Sequence, residues 1–273
     1  DIDGTLLNSK GQITEKTNIV IHKILEKYPD IHFVLASGRS RPATKHICET
    51  LHMVNRPNTE ALLCNGSILY DSIGNILWQQ TLSAEYIIKF HNLIKKEIPN
   101  VDIFYSVGDD LITFNEEWAR KLNEEYDEQT VVVNEKEFIE KIINNELKVN
   151  KTCILKEEGP ELEKIKKLFE DLKKEYNLEQ TFAVPYFLEY MPHQTNKGTC
   201  LAELMKILNV SKDEVLSFGD SGNDIEHLQT SGWPVAMANA TEEIKSIAKL
   251  ITKSNDEDGV ASMLEKIFLN KEN

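Results

Sequence analysis

Four short apolar runs, each stopping at a polar or glycine-bearing turn, limit what this chain can fold into. They are Ile31 to Ala36, ending at Ser37-Gly38; the run in "TEALLCNGS", ending at Asn65-Gly66; the run in "EVLSFGDSGND"; and the run in "WPVAMANAT". A continuous apolar run, unlike an alternating one, predicts a strand buried on both faces, as in parallel sheets. Helical spacing lies between and after the runs. Residues 14–28 carry a capping Thr14 and Ile21, Ile24, Leu25 and Tyr28 on one side, and 198–208 and 241–248 follow the same period. Short buried strands alternating with helices predict an α/β domain with a mostly parallel sheet. Such sheets bind ligands beyond the carboxyl ends of their strands, where these polar turns fall.

Residues 83 to about 190 follow a different pattern. A helix is predicted over 83–97, with Ile87, Phe90, Leu93 and Ile94 on one side. "VDIFYSVGDDLITF" predicts two strands turning at Gly108-Asp109. A helix near 136–144 and a strand near 150–155 come next. Pro160 then opens a long charged helix with an apolar face of Leu162, Ile165, Leu168, Phe169, Leu172 and Tyr176. "TFAVPYFLEYMP" closes the stretch in strand-like sequence. The expectation is a second, α+β domain at 83–190, inserted into a core of 1–82 and 191–273.

The chain has 273 residues, 41% hydrophobic and 28% charged, which suits a soluble globular protein of one large or two ordinary domains. No run of about 18 apolar residues is present, so no membrane helix is expected. No charged start leads into an apolar stretch, so nothing directs secretion and a cytoplasmic location is expected. A formal net charge of −14 argues against a nucleic-acid backbone as partner. It leaves room for an anion, because a local lysine or metal reverses the field within one cleft. Cys48, Cys64, Cys153 and Cys200 are far apart with no CxxC pair, so reduced, mostly buried thiols are expected and not a zinc site.

Chemistry gathers at the strand ends. Asp1 and Asp3 run directly into Gly4-Thr5. A lone DxD is usually an exposed turn, but an acidic pair entering Gly-Thr makes a loop whose backbone N–H groups can face an anion. Residues one and three of an extended segment point the same way, so this spacing aims both carboxylates at one spot. Ser37-Gly38 offers a hydroxyl and backbone N–H groups. Lys197, in "TNKGTCLAEL", puts a cation at a helix start. Asp220 and Asp224 are four apart in "GDSGND", with Asn223 between them. Clustered carboxylates are costly unless protons or a cation neutralise them, and an all-oxygen donor set points to Mg2+.

In this order and spacing, "DIDGT", the Ser37 strand end, Lys197 and "GDSGND" resemble the four motifs of the haloacid dehalogenase superfamily of phosphatases. "ASGRS", "CNGSILYD", "NKGT", "FGDSGNDIEHL", "VAMANA" and "EDGVA" are similar to its Cof-type sugar-phosphatase subfamily, across nearly the whole chain. The resemblance implies a Rossmann-like parallel-sheet core with a large cap inserted between the second and third motifs. It implies that Asp1 is the nucleophile and Asp3 the general acid and base. Ser37, Lys197, Asn223 and the backbone of Ile2 and Gly38 would hold phosphoryl oxygens. Mg2+ would be held by Asp1, the carbonyl of Asp3, Asp220, and Asp224 directly or through water. The implied substrate is a small phosphorylated metabolite, a sugar phosphate foremost, with neither nucleic acid nor membrane as partner. Arg39, Asn65, His193 and Asn239 are candidates for substrate contact or for orienting the site; the remaining histidines show no ligand spacing. The family carries an apolar strand before its nucleophile, so a preceding stretch of about five apolar residues is expected in the full coding sequence. Three other readings stay open: a phosphotransferase or mutase sharing the aspartyl-phosphate, a phospho-accepting signalling module, and an inactive binding protein. Asp3 argues against the signalling module, and the intact polar motifs argue against the inactive protein.

Overall fold

Thr14 opens the first helix, α1 (Glu15–Lys27): its side chain accepts from the Thr17 backbone nitrogen at 3.1 Å and meets a donor the helix leaves unpaired. The computed structural model describes residues 1–157, 159–183 and 187–270. The chain forms two compact units. One comprises Asp1–Arg39, Thr44–Trp78 and Asn196–Asn273; the other comprises Ser40–Ala43 and Gln79–Thr195.

In the first unit, α1 turns Val20, Ile21, Ile24 and Leu25 inward. Next comes β1 (Leu35–Ala36), much shorter than the six-residue apolar run predicts. Before it the ladder persists only as separate bonds, Phe33 N to Asn58 O at 2.9 Å and Leu35 N to Glu60 O at 3.3 Å. Helix α2 (Lys45–Thr50) leads to β2 (Ala61–Leu63), which lies parallel to β1 with Leu35 opposite Ala61. Cys64, Asn65 and Gly66 all take positive φ and reverse the chain into β3 (Ile68–Tyr70), antiparallel to β2. With β4 (Ile76–Gln79) the sheet order is β1-β2-β3-β4. The apolar-run pattern stops at Asn65-Gly66 and carries no sign of β3 and β4.

The second unit begins with α3 (Ala84–Glu97), capped by Ser83. The hairpin β5 (Ile103–Val107) and β6 (Asp110–Thr113) turns at residues 108–109, as the sequence predicts. Helix α4 (Glu116–Tyr126) and β7 (Thr130–Val132) follow without any matching expectation. In α4 the fully buried residues are Ala119 and Leu122, too few to mark a period in so polar a segment. Then come α5 (Glu135–Ile143), β8 (Lys151–Leu155), α6 (Pro160–Glu175), β9 (Glu179–Ala183) and β10 (Phe187–Met191). The strand-like segment 181–192 thus spans parts of two strands, and its residues 184–186 lie outside the described residues. The sheet order is β7-β6-β5-β8-β10-β9, antiparallel except where β7 meets β6. Ile103, Tyr105, Ile154, Leu188 and Tyr190 form one buried cluster with Phe90 of α3, Phe138 of α5 and Phe169 of α6.

The chain returns to the first unit through α7 (Lys197–Leu208), β11 (Leu216–Gly219), α8 (Ile225–Thr230), β12 (Trp233–Ala236), α9 (Glu242–Ile247), β13 (Leu250–Ile251) and α10 (Gly259–Leu264). Strands β11, β12 and β13 pair in parallel in that order. The core joins Ile2, Leu7, Ile21, Leu35, Leu228, Met237 and Ile244, each nearly or fully shielded from water. Burying one such side chain contributes roughly 1.5–3 kcal/mol. Cys64, Cys153 and Cys200 are buried and Cys48 is half-buried, and none of the four is in a disulfide. Among the described residues, no helix is long and apolar enough to cross a membrane.

Candidate active site

Asp1 lies beside β11, where its backbone nitrogen donates to the Phe218 carbonyl at 3.0 Å. The chain then turns sharply, and Leu7 N closes the turn on Ile2 O at 2.9 Å. Gly4 makes the turn with φ of 76°, in the left-handed region. A Cβ there would sit 2.4 Å from Asp220 Oδ2, so any side chain would displace that carboxylate. Ile2 goes fully into the core, and Asp1 and Asp3 fall on either side of it. Their carboxylates meet different partners. Asp1 accepts from Lys197 Nζ at 2.6 Å, and Asp3 accepts from Arg39 Nε at 2.9 Å and Nη2 at 2.6 Å. The Asp1 side chain is 6% exposed and that of Asp3 58%.

Lys197 is the electrostatic centre. It is 1% exposed, and its ammonium also donates to Asp224 Oδ1 at 2.7 Å. Asn196 caps its helix by accepting from Thr199 N at 2.8 Å. The turn at Asn65-Gly66 packs on this helix start: a Cβ on Gly66, whose φ is 85°, would fall 2.3 Å from Asn196 O. Asp224 is fully buried, and its Oδ2 accepts from the backbone nitrogens of Asp220 at 2.9 Å and Ser221 at 3.2 Å. Burial pushes Asp224 upward, but the Lys197 ammonium and its neighbours outweigh it and hold the group down at about 2. Asp220 goes the other way. Burial first, and the Asp224 charge second, raise it above the ordinary carboxylate value, while Thr5 Oγ1 donates to it at 3.2 Å. Carboxylate oxygens of Asp1, Asp220 and Asp224 lie within 4.8 Å of one another. Three hard oxygen donors that close fit a single Mg2+. Asp224 already has both oxygens engaged, so Asp1 and Asp220 are the better placed pair.

Ser37 is buried at the end of β1, and its hydroxyl accepts from Arg39 N at 3.2 Å. Asn65 N donates to Ser37 O at 3.0 Å, and a Cβ on Gly38 would fall 2.8 Å from Asn65 Oδ1. Asn239 Nδ2 donates to Gly4 O at 2.8 Å, so it braces the turn after Asp3. Asn223 is exposed and accepts from Ser221 Oγ at 2.9 Å. His193 belongs to the second unit, exposed, with Nδ1 3.1 Å from Glu179 Oε1. Two neighbours of the carboxylates escaped the sequence reading. Thr5 stands inside the "DIDGT" motif, where its contact with Asp220 is visible only once the loops meet. His227 is buried beside Asp224, with Nδ1 3.5 Å from Oδ1. Its position three residues after Asp224, at the start of a helix, is the signal that would have found it. Burial is the largest influence on this ring and pushes it well below the usual imidazole range, against the pull of the Asp224 carboxylate.

Comparison with known proteins places the chain in a family. The model of the haloacid dehalogenase-like hydrolases matches residues 1–264. An uncharacterized hydrolase of Schizosaccharomyces pombe is 28% identical over 98% of this chain and 89% of its own. A 5-amino-6-(5-phospho-D-ribitylamino)uracil phosphatase of Bacillus subtilis is 28% identical over 97% of this chain and 92% of its own. Among solved structures, a haloacid dehalogenase-like hydrolase from Bacteroides thetaiotaomicron superposes with a TM-score of 0.83 at 26% identity, covering 98% of this chain and 97% of that one.

Proposed function

The chain belongs to the haloacid dehalogenase-like hydrolases, and from that membership we propose that it is a Mg2+-dependent phosphatase of small phosphorylated metabolites, sugar and polyol phosphates foremost. The observation that carries the reading is Lys197, a buried cation joining Asp1 to Asp224 within a cluster of three carboxylates. A site built this way can receive a phosphate dianion only if further positive charge enters with it. Mg2+ held by Asp1 and Asp220, with the carbonyl of Asp3, would supply that charge. The Bacillus relative named for a phosphorylated ribityl compound supports a polyhydroxyl leaving group.

In the proposed reaction, a carboxylate oxygen of Asp1 attacks phosphorus in line with the departing alkoxide. The P–O bond to the alcohol breaks as the P–O bond to Asp1 forms. Asp3 protonates the leaving oxygen, then takes a proton from the water that cleaves the aspartyl-phosphate and releases inorganic phosphate. Lys197 offsets charge on Asp1 before attack and on the phosphoryl oxygens during it. Ser37, Asn223 and the backbone N–H groups of Ile2 and Gly38 hold those oxygens. We assign substrate choice to the second unit, which carries none of the four motifs. The decisive experiment is phosphate release from a panel of sugar, polyol and nucleotide monophosphates with Mg2+ and with EDTA. No release from any of them, or release unaffected by EDTA, would overturn the reading.

A further inference from the structure

His227 is a buried polar group that the chemistry above does not use. It is 3% exposed, at the foot of the carboxylate cluster. Its Nε2 lies 3.2 Å from the Phe218 carbonyl oxygen, which also accepts the Asp1 backbone nitrogen at 3.0 Å. A carbonyl only accepts, so Nε2 carries a hydrogen, and in the neutral ring Nδ1 then presents a lone pair. Nδ1 has no hydrogen-bond partner among the described residues. It stands 3.5 Å from Asp224 Oδ1, the oxygen that receives Lys197 Nζ at 2.7 Å. One edge of the ring therefore meets the carbonyl that fixes the Asp1 backbone, and the other meets the carboxylate that fixes Lys197.

Packing alone does not explain a histidine here. A leucine or methionine would fill similar volume, while a buried ring nitrogen without a partner costs about 1–3 kcal/mol. The ring does something an apolar side chain cannot. Its N–H ties α8 to β11 at the point where Asp1 is held. Its bare Nδ1 offers no hydrogen to Asp224 Oδ1, which leaves that oxygen to Lys197. We propose that His227 is a positioning residue: by donating from Nε2 to Phe218 O, and by offering Asp224 no hydrogen in competition with Lys197, it sets the distance between the Asp1 carboxylate and the Lys197 ammonium. The proposal rests on the phosphatase reading for its kinetic consequence, though not for its geometry.

The test compares His227→Leu with His227→Gln on the phosphomonoester that the wild-type protein hydrolyses best. The amide nitrogen of glutamine falls near the position of Nε2 and can donate to Phe218 O; leucine fills space without a donor. Misplacing a reacting group by a fraction of an ångström to an ångström costs up to about 100-fold. The Leu variant should therefore lose about tenfold or more in kcat at unchanged KM, and the Gln variant should recover most of it. A Leu variant with wild-type kcat, or a Gln variant no better than Leu, overturns the proposal. Nitrogen-15 NMR of the wild-type ring is a second measurement, independent of turnover. It should show hydrogen on Nε2 and a bare Nδ1, and hydrogen on Nδ1 would overturn the proposal even if the Leu variant does not fold. A wild-type protein that releases no phosphate sinks the phosphatase reading instead, and the NMR result still decides how the ring is held.

Discussion

Arg39 holds Asp3 in a two-bond fork, Nε to Oδ2 at 2.9 Å and Nη2 to Oδ1 at 2.6 Å. The Arg39 side chain is 29% exposed and that of Asp3 58%, so the pair contributes only about 0–1 kcal/mol to stability. What a planar fork does supply is orientation. Two variants separate the proposed roles. Asp3→Asn removes the proposed acid and base and should lower kcat by about 10²–10⁴ with KM nearly unchanged. Arg39→Met keeps the carboxylate but frees it, and should lower kcat by about tenfold. Neither should shift the melting temperature by more than about 2 °C. A loss confined to KM in Asp3→Asn would remove it from proton transfer.

Gly4→Ala tests the turn between the two aspartates. At φ of 76° an alanine is strained, and its Cβ would meet Asp220 Oδ2 at 2.4 Å. Strain of this kind costs about 1–3 kcal/mol, the carboxylate must move, and Asp220 is a proposed holder of Mg2+. The variant should melt several degrees lower and need more Mg2+ for half-maximal activity. Unchanged Mg2+ dependence would detach Asp220 from the metal.

How much of this was legible in the sequence follows the range of each interaction. Thr14 marks a helix start, and Gly108-Asp109 marks a hairpin, because capping and turning are settled within four residues. The α/β class was legible too, because runs buried on both faces leave their mark on composition. Helix α4 was not, with two fully buried residues in eleven. Nor was the shortness of β1, where pairing with residues 58–60 persists as single bonds without regular strand geometry. At the site, the motifs placed Asp1, Asp220, Asp224 and Lys197 on one list, but not their hydrogen bonds. That Asp3 meets Arg39, 36 residues away, and that Phe218 O serves both Asp1 and His227 depends on how loops converge, which no local pattern encodes.

Asp220 and Asp224 should respond to acid in opposite senses. Asp220 has a raised pKa when folded, so with rising pH it loses a proton in the unfolded chain first. Its contribution is a penalty that grows above about pH 4, the unfolded carboxylate value. Asp224, held at about 2, contributes stability that is fully present above about pH 4 and lost as pH falls towards 2. In EDTA at neutral pH, Asp220→Asn should therefore be at least as stable as wild type. Asp224→Asn, which breaks a buried pair, should be less stable by about 3 kcal/mol, and the deficit should shrink in acid. Mg2+ should raise the melting temperature of wild type and not of Asp220→Asn. Thermal melts across pH with and without metal check all three, and a clearly destabilised Asp220→Asn in EDTA would contradict the proposed electrostatics.

Lys197→Met removes the ammonium that joins Asp1 to Asp224. Methionine is close in volume, so packing changes little, and what changes is charge. At 1% exposure the ammonium faces two carboxylates, at 2.6 and 2.7 Å, with Asp220 close by. Removing one partner of a buried pair typically costs 3–5 kcal/mol, because the remaining charge has lost both water and counter-ion. The variant should melt well below wild type and release no measurable phosphate. Its stability should recover more on adding Mg2+ than that of wild type, because the cation replaces part of the lost charge. Lys197→Arg should not restore turnover: a planar guanidinium cannot bring one nitrogen to both oxygens at these distances, and it overfills the buried space. Melting curves and phosphate release for both variants, over a range of Mg2+, decide the matter. Near-normal turnover in Lys197→Met would place the phosphate elsewhere, whereas a melting temperature insensitive to Mg2+ would mean that the three carboxylates do not share a cation.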